Sequence, residues 1–329
     1  MMPREPLVSV IVRSMDRDSL KEALDSISAQ TWPAIEILVV NAKGPHRDLP
    51  SSWGPHPLKV LSKGHPLPRS EAANVGLKAA QGTYIAFLDD DDVLFEDHVL
   101  SLVHHLEKAP HIQAVYAGVR VEMYERGSIS PLRTFDFNEP FNLRKLQGRN
   151  YIPIHAVLFE RSLVIDQGCH FDESLDLFED WDFWLQLSQH TAFMHHDKIT
   201  ALYRNHGESG LGEDDLEEKK VRILEATADV LAKWGPKWAP MEWAAILLER
   251  DALSEQVLER QQDRLSQLET ERIQLTLDLQ QQKETVATLL SSTSWRMTQP
   301  LRYFVRQLKS ITSSSRDLGR KGCHRNMKR

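Results

Sequence analysis

Cysteine and long apolar segments are both scarce in this sequence. Its 329 residues include only two cysteines, Cys169 and Cys323, which cannot form a network of disulfides and have no zinc-binding spacing. No stretch approaches the roughly 18 uninterrupted apolar residues of a membrane span. The short apolar run near the N-terminus has no small-residue cleavage site, so it does not resemble a signal peptide. We therefore expect a cytoplasmic protein without a membrane-spanning helix.

The charged residues are unevenly distributed along a chain of otherwise globular composition. Apolar residues make up 41% of the chain and charged residues 26%, which favours a packed core and excludes wholesale disorder. The formal net charge is −7, yet residues 291–329 contain ten lysines and arginines against a single acid, Asp317. An acidic body with a basic tail predicts an anionic partner for the tail, either a membrane surface or nucleic acid.

Short apolar runs alternate with helical patterns in the first third of the sequence. Each run is too short for a helix and rich in β-branched residues, as in strands that are buried on both faces. Strands separated by helices predict an α/β fold with a parallel sheet. The predicted strands are residues 7–12, 35–40, 58–61, 84–88, 114–121 and 151–159. The predicted helices are residues 18–30, 70–80 (with Ser70 as N-cap), 179–189 and 213–234.

A heptad pattern begins at Leu258 and predicts a coiled coil. Seven of the ten residues at its 3-4 spacing are apolar, and the residues between them are rich in Gln, Glu and Arg. The ten positions are Leu258, Gln261, Leu265, Leu268, Arg272, Leu275, Leu279, Gln282, Val286 and Leu289. Two-stranded pairing, and hence a homo-oligomer, is favoured over a long solitary helix. The predicted organisation is an α/β domain (1–212), a helical linker (213–245), a coiled coil (246–290) and a basic tail (291–329).

The basic tail contains a second amphipathic pattern. Five apolar residues share one helical face, and basic residues lie elsewhere around the helix. They are Leu301, Phe304, Val305, Leu308 and Ile311. Together with Trp295, this pattern predicts that residues 295–311 lie in a membrane interface, peripheral on the inner face of the cell membrane. Packing of the same face on the first domain is the alternative.

Four consecutive aspartates, residues 89–92, follow the predicted strand 84–88 directly. In open parallel sheets, ligands bind beyond the carboxyl ends of the strands. Neighbouring carboxylates raise each other's pKa unless a cation is present, and oxygen ligands favour Mg²⁺ or Mn²⁺. The run therefore predicts a metal site that bridges to substrate phosphates. An acidic, solvated loop that starts the next helix is the alternative.

Two further segments contain candidate functional residues. Glu179, Asp180 and Asp182 gather at the start of an aromatic helix, where acids can cap the helix or supply a general base. Arg204 and His206 precede a glycine-containing loop, where an ordinary surface role is the alternative to a role in the site.

Five segments together resemble the family 2 inverting glycosyltransferases of the GT-A fold. They cover roughly residues 6–212 and occur in the order and spacing of that family. The segments are VSVIV, SISAQTWPAIEILVVN, LPRSEAANVGLKAAQGTYIAFLDDDD, FDESLDLFEDWDFWL and YRNHG. The resemblance implies a mostly parallel sheet flanked by helices, and transfer of a sugar from a nucleotide-diphosphate donor. The SWRMTQPLR segment also resembles a tail found in bacterial transferases of surface-polysaccharide synthesis.

The resemblance also implies roles for individual residues. Asp89 and Asp91 match the outer residues of the family's DXD-type motif, and Asp91 is the best candidate metal ligand. Asp180 matches the base that accepts the proton of the acceptor hydroxyl. His206 matches a position that completes the metal site or contacts the diphosphate, and Arg69 matches a cation near the nucleotide. If Trp181 and Trp184 are not core residues, they could stack on acceptor sugars.

The sequence departs from the family at the nucleotide pocket. Asn41 and Ala42 replace the acids that commonly follow the second strand, and Arg13 opens an atypical first loop. Arg13, Asn41 and Arg204 are expected donor contacts, but UDP cannot be assumed as the nucleotide. We expect a Mn²⁺- or Mg²⁺-dependent enzyme that acts on a glycan or lipid-linked acceptor and does not bind nucleic acid. A transferase-like scaffold that assembles partners through its coiled coil is the alternative.

Overall fold

The computed structural model describes residues 5–44, 48–125, 128, 130–205, 216–298 and 303. The chain divides into two compact units, residues 1–252 and 253–329. The predicted tail helix over residues 301–311 lies outside the described residues, except for Tyr303. Among the described helices, none combines the length and the apolar character needed to cross a bilayer.

A ten-stranded sheet forms the centre of the first unit. In chain order the strands are β1 (Val8–Ser14), β2 (Ile35–Asn41), β3 (Ser52–Trp53), β4 (His56–Leu61), β5 (Tyr84–Asp89), β6 (Val93–Leu94), β7 (Ala114–Met123), β8 (Arg133–Phe137), β9 (Val157–Glu160) and β10 (Phe193–Asn205). Their order in the sheet is β3-β4-β2-β1-β5-β9-β7-β10-β6, with β8 beside β7.

Helices flank this sheet and continue beyond it. They are α1 (Leu20–Ser28), α2 (Arg69–Ala79), α3 (His98–Lys108), α4 (Leu143–Gly148), α5 (Ser162–Ile165), α6 (Glu179–Leu187), α7 (Leu216–Trp234), α8 (Pro240–Ser291) and α9 (Thr293–Met297). The α/β prediction is confirmed, and helices α1, α2, α6 and α7 lie within two or three residues of their predicted ends.

The sheet is parallel where the apolar runs are most continuous. Strands β4, β2, β1 and β5 are parallel neighbours, and β1 and β5 are buried along almost their whole length. Antiparallel β9 then separates β5 from the parallel pair β7 and β10. The carboxyl ends of β1 and β5 therefore lie side by side, and the candidate site is built there.

Two local predictions are wrong. Residues 151–159 are not one strand, because Ile154–Ala156 form a 3₁₀ turn after Pro153 and β9 begins only at Val157. Ser70 is not the N-cap of α2, which begins at Arg69 after Pro68. The Ser70 hydroxyl instead donates a hydrogen bond to the Leu175 carbonyl at 3.0 Å and ties α2 to the segment before α6.

Candidate active site

Asp89, at the end of β5, is held by a buried arginine from the neighbouring strand. The parallel register places Arg13 of β1 opposite Asp89. Arg13 donates from Nε to Asp89 Oδ1 at 2.7 Å and from Nη2 to Oδ2 at 2.9 Å. Its Nη1 donates to Glu179 Oε1 at 2.8 Å. Burial alone would raise the pKa of Asp89, but the charge and hydrogen bonds of Arg13 outweigh burial and lower that pKa.

Asp90 is fully buried and shapes the loop that follows β1. Its Oδ2 accepts hydrogen bonds from the Met15 amide at 2.7 Å and the Ser14 hydroxyl at 3.0 Å. Its Oδ1 accepts from Arg17 Nη1 at 2.5 Å. Because its oxygens are occupied by this loop, Asp90 organises the wall of the site rather than facing a ligand.

Asp92 is also buried and joins two distant parts of the first unit. Its Oδ1 accepts a hydrogen bond from the Arg204 amide of β10 at 3.0 Å. Its Oδ2 lies 3.1 Å from Nδ1 of His155, in the turn before β9. His155 is 2% exposed, and its Nε2 has no hydrogen-bond partner among the described residues. This histidine lines the larger of the two clefts described below.

Asp91, like Asp89, keeps a partly exposed carboxylate. Its side chain is 23% exposed and lies 3.4 Å from Nη1 of Arg17. Burial, followed by the charges of Asp92 and Asp89, raises the pKa of Asp91 to about 7, although Arg17 opposes this. A carboxylate that is destabilised by neighbouring carboxylates is stabilised by a cation.

The side chains around Asp91 supply only part of the ligand set that a hard divalent cation needs. Among the described residues, no group of three His, Cys, Asp or Glu side chains could hold a metal. Both oxygens of Asp89 accept from Arg13, which favours Asp91 as the carboxylate that faces a metal. Mg²⁺ and similar ions often use one or two carboxylates plus substrate phosphates, and Asp91 suits that mode. His206 lies outside the described residues.

Asp180, in the first turn of α6, has the surroundings of a general base. Its Oδ1 accepts hydrogen bonds from Asn150 Nδ2 at 3.0 Å and from the Trp181 amide at 2.8 Å. Neither of these bonds uses Oδ2. Burial, followed by the Glu179 charge, raises the pKa of Asp180 to about 7. The preceding residue, Phe178, has a φ of 61°, a left-handed conformation that is rare for a bulky side chain.

Two adjoining clefts bring most of the predicted residues together. The larger, of about 340 Å³, is lined by Asp180, Asn150 and His155, among others. The smaller, of about 90 Å³, is lined by Asp91, Arg17 and Ala42, among others. The residues that line both clefts are Arg13, Arg69, Asp89 and Tyr203. Asp91 and Asp180 therefore face neighbouring spaces separated by a shared charged wall.

Two predicted donor contacts are not among the residues that line these clefts. The Asn41 Oδ1 accepts from the amides of Lys43 at 2.9 Å and Gly44 at 3.3 Å, so this oxygen stabilises its own turn. The Arg204 guanidinium instead pairs with Glu22, with Nη1 2.5 Å from Oε2. Their predicted roles in donor binding are not supported by this placement, and Ala42 lines the smaller cleft in place of Asn41.

The tryptophans of α6 are core residues. Trp181 is 1% exposed and Trp184 is 0% exposed. Their Nε1 groups donate to the carbonyls of Leu146 at 2.5 Å and Ile152 at 3.0 Å. The hypothesis that they stack on acceptor sugars is therefore wrong, because no ring face is open to a ligand.

Sequence reasoning missed two polar residues of the larger cleft. Asn150 contacts the Asp180 carboxylate, and His155 contacts Asp92. A histidine inside the otherwise apolar run Tyr151–Phe159 was the available signal, because a buried imidazole needs a partner. Its partner, Asp92, is far away in the chain and could not be identified from spacing.

Comparison of the sequence with known proteins consistently finds similarity to glycosyltransferases. Residues 9–166 match the family described as "Glycosyl transferase family 2". An uncharacterised glycosyltransferase of Haemophilus influenzae is 28% identical over 221 residues, covering 61% of this chain and 66% of that relative. The uncharacterised glycosyltransferase YwdF of Bacillus subtilis is 25% identical over 260 residues, covering 76% of this chain and 94% of YwdF.

The solved structures that this chain resembles have lower sequence identity than these relatives. The structure of S. aureus TarS 1–349 in complex with UDP-GlcNAc is 18% identical and has a TM-score of 0.48. The match covers 69% of this chain and 71% of that chain. The mannosyltransferase PcManGT from Pyrobaculum calidifontis, in complex with GDP-Man and Mn²⁺, is 16% identical with a TM-score of 0.44, covering 76% of this chain and 81% of that chain.

Proposed function

We propose that this chain is a metal-dependent inverting glycosyltransferase, because residues 9–166 match the family described as "Glycosyl transferase family 2". It moves a sugar from a nucleotide-diphosphate donor to a glycan or lipid-linked glycan acceptor, in the synthesis of surface polysaccharide. One observation carries the proposal: Asp180, whose pKa is raised to about 7, lies in the cleft next to that of Asp91. A base and a cation-binding carboxylate are the two groups that this reaction needs.

Asp180 acts as the general base in the larger cleft. A carboxylate with a pKa near neutrality is basic enough to accept a proton and is still ionised in a large fraction of molecules. The hydrogen bonds from Asn150 and the Trp181 amide fix Oδ1, and Oδ2 receives the proton of the acceptor hydroxyl. The hydroxyl oxygen forms its bond to the anomeric carbon as the bond to the diphosphate breaks. A single displacement of this kind inverts the anomeric configuration.

The donor diphosphate belongs where the two clefts meet. Asp91 would hold the divalent cation, which when bound would neutralise the negative charge that develops on the departing diphosphate. Arg69 lines both clefts and is the first residue of α2, so its guanidinium and the N-terminus of that helix both favour an anion. Arg13 belongs to the wall between donor and acceptor, where it hydrogen bonds to the carboxylates of both Asp89 and Glu179.

Isosteric substitutions test the two carboxylates separately. In Asp180→Asn, transfer should fall by at least about 100-fold, because the base is lost while the shape of the cleft is kept. In Asp91→Asn, Mn²⁺-dependent binding of the donor should be lost as well. The measurements are release of nucleoside diphosphate from a panel of UDP and GDP sugars, and calorimetry of UDP and GDP with and without Mn²⁺.

Exposed aspartates near each site provide matched controls. Asp176→Asn lies in the segment before α6, and Asp97→Asn precedes α3; both side chains are exposed. Both variants should keep wild-type transfer and melting temperature. Wild-type rates in Asp180→Asn would overturn the assignment of the base. If the wild-type chain binds none of these nucleotides in a Mn²⁺-dependent way, the scaffold alternative replaces the proposal.

A further inference from the structure

The long helix α8 presents a row of mostly apolar side chains at heptad spacing to solvent. We define the α8 seam as the ten heptad positions from Leu258 to Leu289. Each of its seven apolar side chains is exposed: Leu258 57%, Leu265 62%, Leu268 43%, Leu275 69%, Leu279 53%, Val286 54% and Leu289 58%. Apolar side chains in a row of this regularity indicate a surface that another helix covers.

The charged residues beside the seam distinguish between the possible partners. In heptad terms Leu265, Arg272 and Leu279 occupy a positions, so the flanking g positions include Arg264 and Asp278. The flanking e positions include Glu269 and Lys283. In a parallel pair of identical helices, each g residue faces the e residue five positions later in the other helix.

A parallel pairing of two copies therefore joins opposite charges. Arg264 faces Glu269 of the second copy, and Asp278 faces Lys283 of the second copy. In an antiparallel pair that matches the ends of the seam, Glu271 instead faces Asp278, and both carry negative charge. Charge complementarity thus favours a second copy of this chain, aligned in the same direction.

The polar residues inside the seam set the register. In a parallel, in-register pair each of Gln261 and Gln282 meets its own copy, where two amides can hydrogen bond to each other. In the same register Arg272 also meets its own copy, and Glu271 of each helix lies beside the Arg272 of the other. In the antiparallel pair, Gln261 would face Val286 and Gln282 would face Leu265, which leaves amides against apolar side chains. Polar seam residues of this kind are known to fix register and orientation.

We propose that residues 258–289 of α8 bind the same segment of a second copy as a parallel, in-register, two-stranded coiled coil. The surface is the α8 seam, and its occupant is an identical helix. This proposal does not depend on the proposed sugar transfer, because none of its residues lines either cleft.

Cysteine cross-linking of the full-length chain tests both direction and register. The background is Cys169→Ala with Cys323→Ser, which removes the two native thiols. In that background Gln282→Cys should form a disulfide-linked dimer under a glutathione redox buffer, because residue 282 meets itself only in the parallel register. The control is Gln281→Cys, the adjacent residue of the same type on the outer face of the helix, which should remain monomeric on non-reducing gels.

A charge exchange provides an independent measurement. Lys283→Glu places an acid opposite Asp278 and should weaken the dimer by roughly two- to tenfold in dissociation constant, measured by analytical ultracentrifugation. Adding Asp278→Lys to the same chain should restore the affinity. A monomeric wild-type chain at micromolar concentration would overturn the proposal. So would equal cross-linking of Gln281→Cys and Gln282→Cys, or cross-linking of Gln282→Cys only with Leu265→Cys.

Discussion

At the scale of single residues, four adjacent aspartates have four different environments. Asp89 pairs with Arg13, Asp90 holds the loop after β1, Asp92 contacts His155, and Asp91 lies 3.4 Å from Arg17. The sequence could predict that an acidic run follows a strand at the sheet edge. It could not assign a role to each aspartate, because their partners Arg13, Arg17 and His155 all lie in segments that are distant in the chain.

The pH dependence of transfer follows from the raised pKa of Asp180. A general base works in its ionised form, so activity is present above its pKa and is lost as protonation increases below it. With a pKa of about 7, kcat/KM should fall on the acidic side of neutrality. Asn150→Ala removes a hydrogen bond that lowers this pKa, and should move the acidic limb to higher pH.

The measurement is the pH profile of kcat/KM for the wild type, Asn150→Ala and the control Asp97→Asn. The control should reproduce the wild-type profile. An acidic limb at about 4, the ordinary range of an exposed aspartate, would contradict the assigned environment.

At the scale of elements, the three acidic side chains at the start of helix α6 each contact a different part of the first unit. Glu179 pairs with Arg13, Asp180 contacts Asn150, and the fully buried Asp182 binds α7. The Trp234 Nε1 donates to Asp182 Oδ1 at 2.7 Å, and Lys233 Nζ lies 2.9 Å from Oδ2. Helix α7 thereby holds the element that carries the proposed base.

Removing the indole donor of α7 should destabilise the first unit. Trp234→Phe leaves a buried carboxylate oxygen of Asp182 without its partner, which we expect to cost about 1–3 kcal/mol of unfolding free energy. The control is Trp243→Phe, because the half-buried Trp243 donates only to the Gly235 carbonyl at 3.1 Å. Urea denaturation of both variants measures the difference. An equal loss in both would show that Asp182 does not depend on this contact.

Elements whose apolar residues follow one consistent pattern could be predicted from the sequence, and the others could not. Strands β1, β2 and β5 are mostly apolar and almost fully buried, so their apolar runs are unambiguous in the sequence. Strand β10 contains the polar run His195–Lys198, where its register with β7 shifts, and no apolar pattern marks that part as a strand. The region before β9 has strand-like composition, but Pro153 precedes a turn there.

At the scale of the whole molecule, net positive charge is concentrated at the C-terminal end of the chain. Residues 291–329 carry a net charge of +9, which leaves about −16 for the remaining residues. The sequence predicts an anionic surface as the partner of this tail. Most of the tail lies outside the described residues, so its role remains a prediction.

A chain that ends at residue 290 should no longer bind anionic membranes. Full-length protein should sediment with vesicles that contain phosphatidylglycerol and should be released by salt, because basic residues bind such surfaces electrostatically. The shortened chain should stay in the supernatant and keep its transfer to soluble acceptors. Vesicles of phosphatidylcholine alone are the control. Tighter binding of the tail to double-stranded DNA than to the anionic vesicles would contradict a membrane role.

The shared wall of the two clefts has a thermodynamic consequence. Asp91 interacts with the charge of Asp89 and Asp180 with that of Glu179, and both Asp89 and Glu179 pair with Arg13. A cation taken up on one side of that wall and a proton taken up on the other are therefore linked equilibria. By thermodynamic reciprocity, if binding of the donor and its cation changes the proton affinity of Asp180 by some factor, protonation of Asp180 changes the affinity for donor and cation by the same factor. The apparent dissociation constant of the donor should accordingly report the ionisation of a residue in the adjoining cleft.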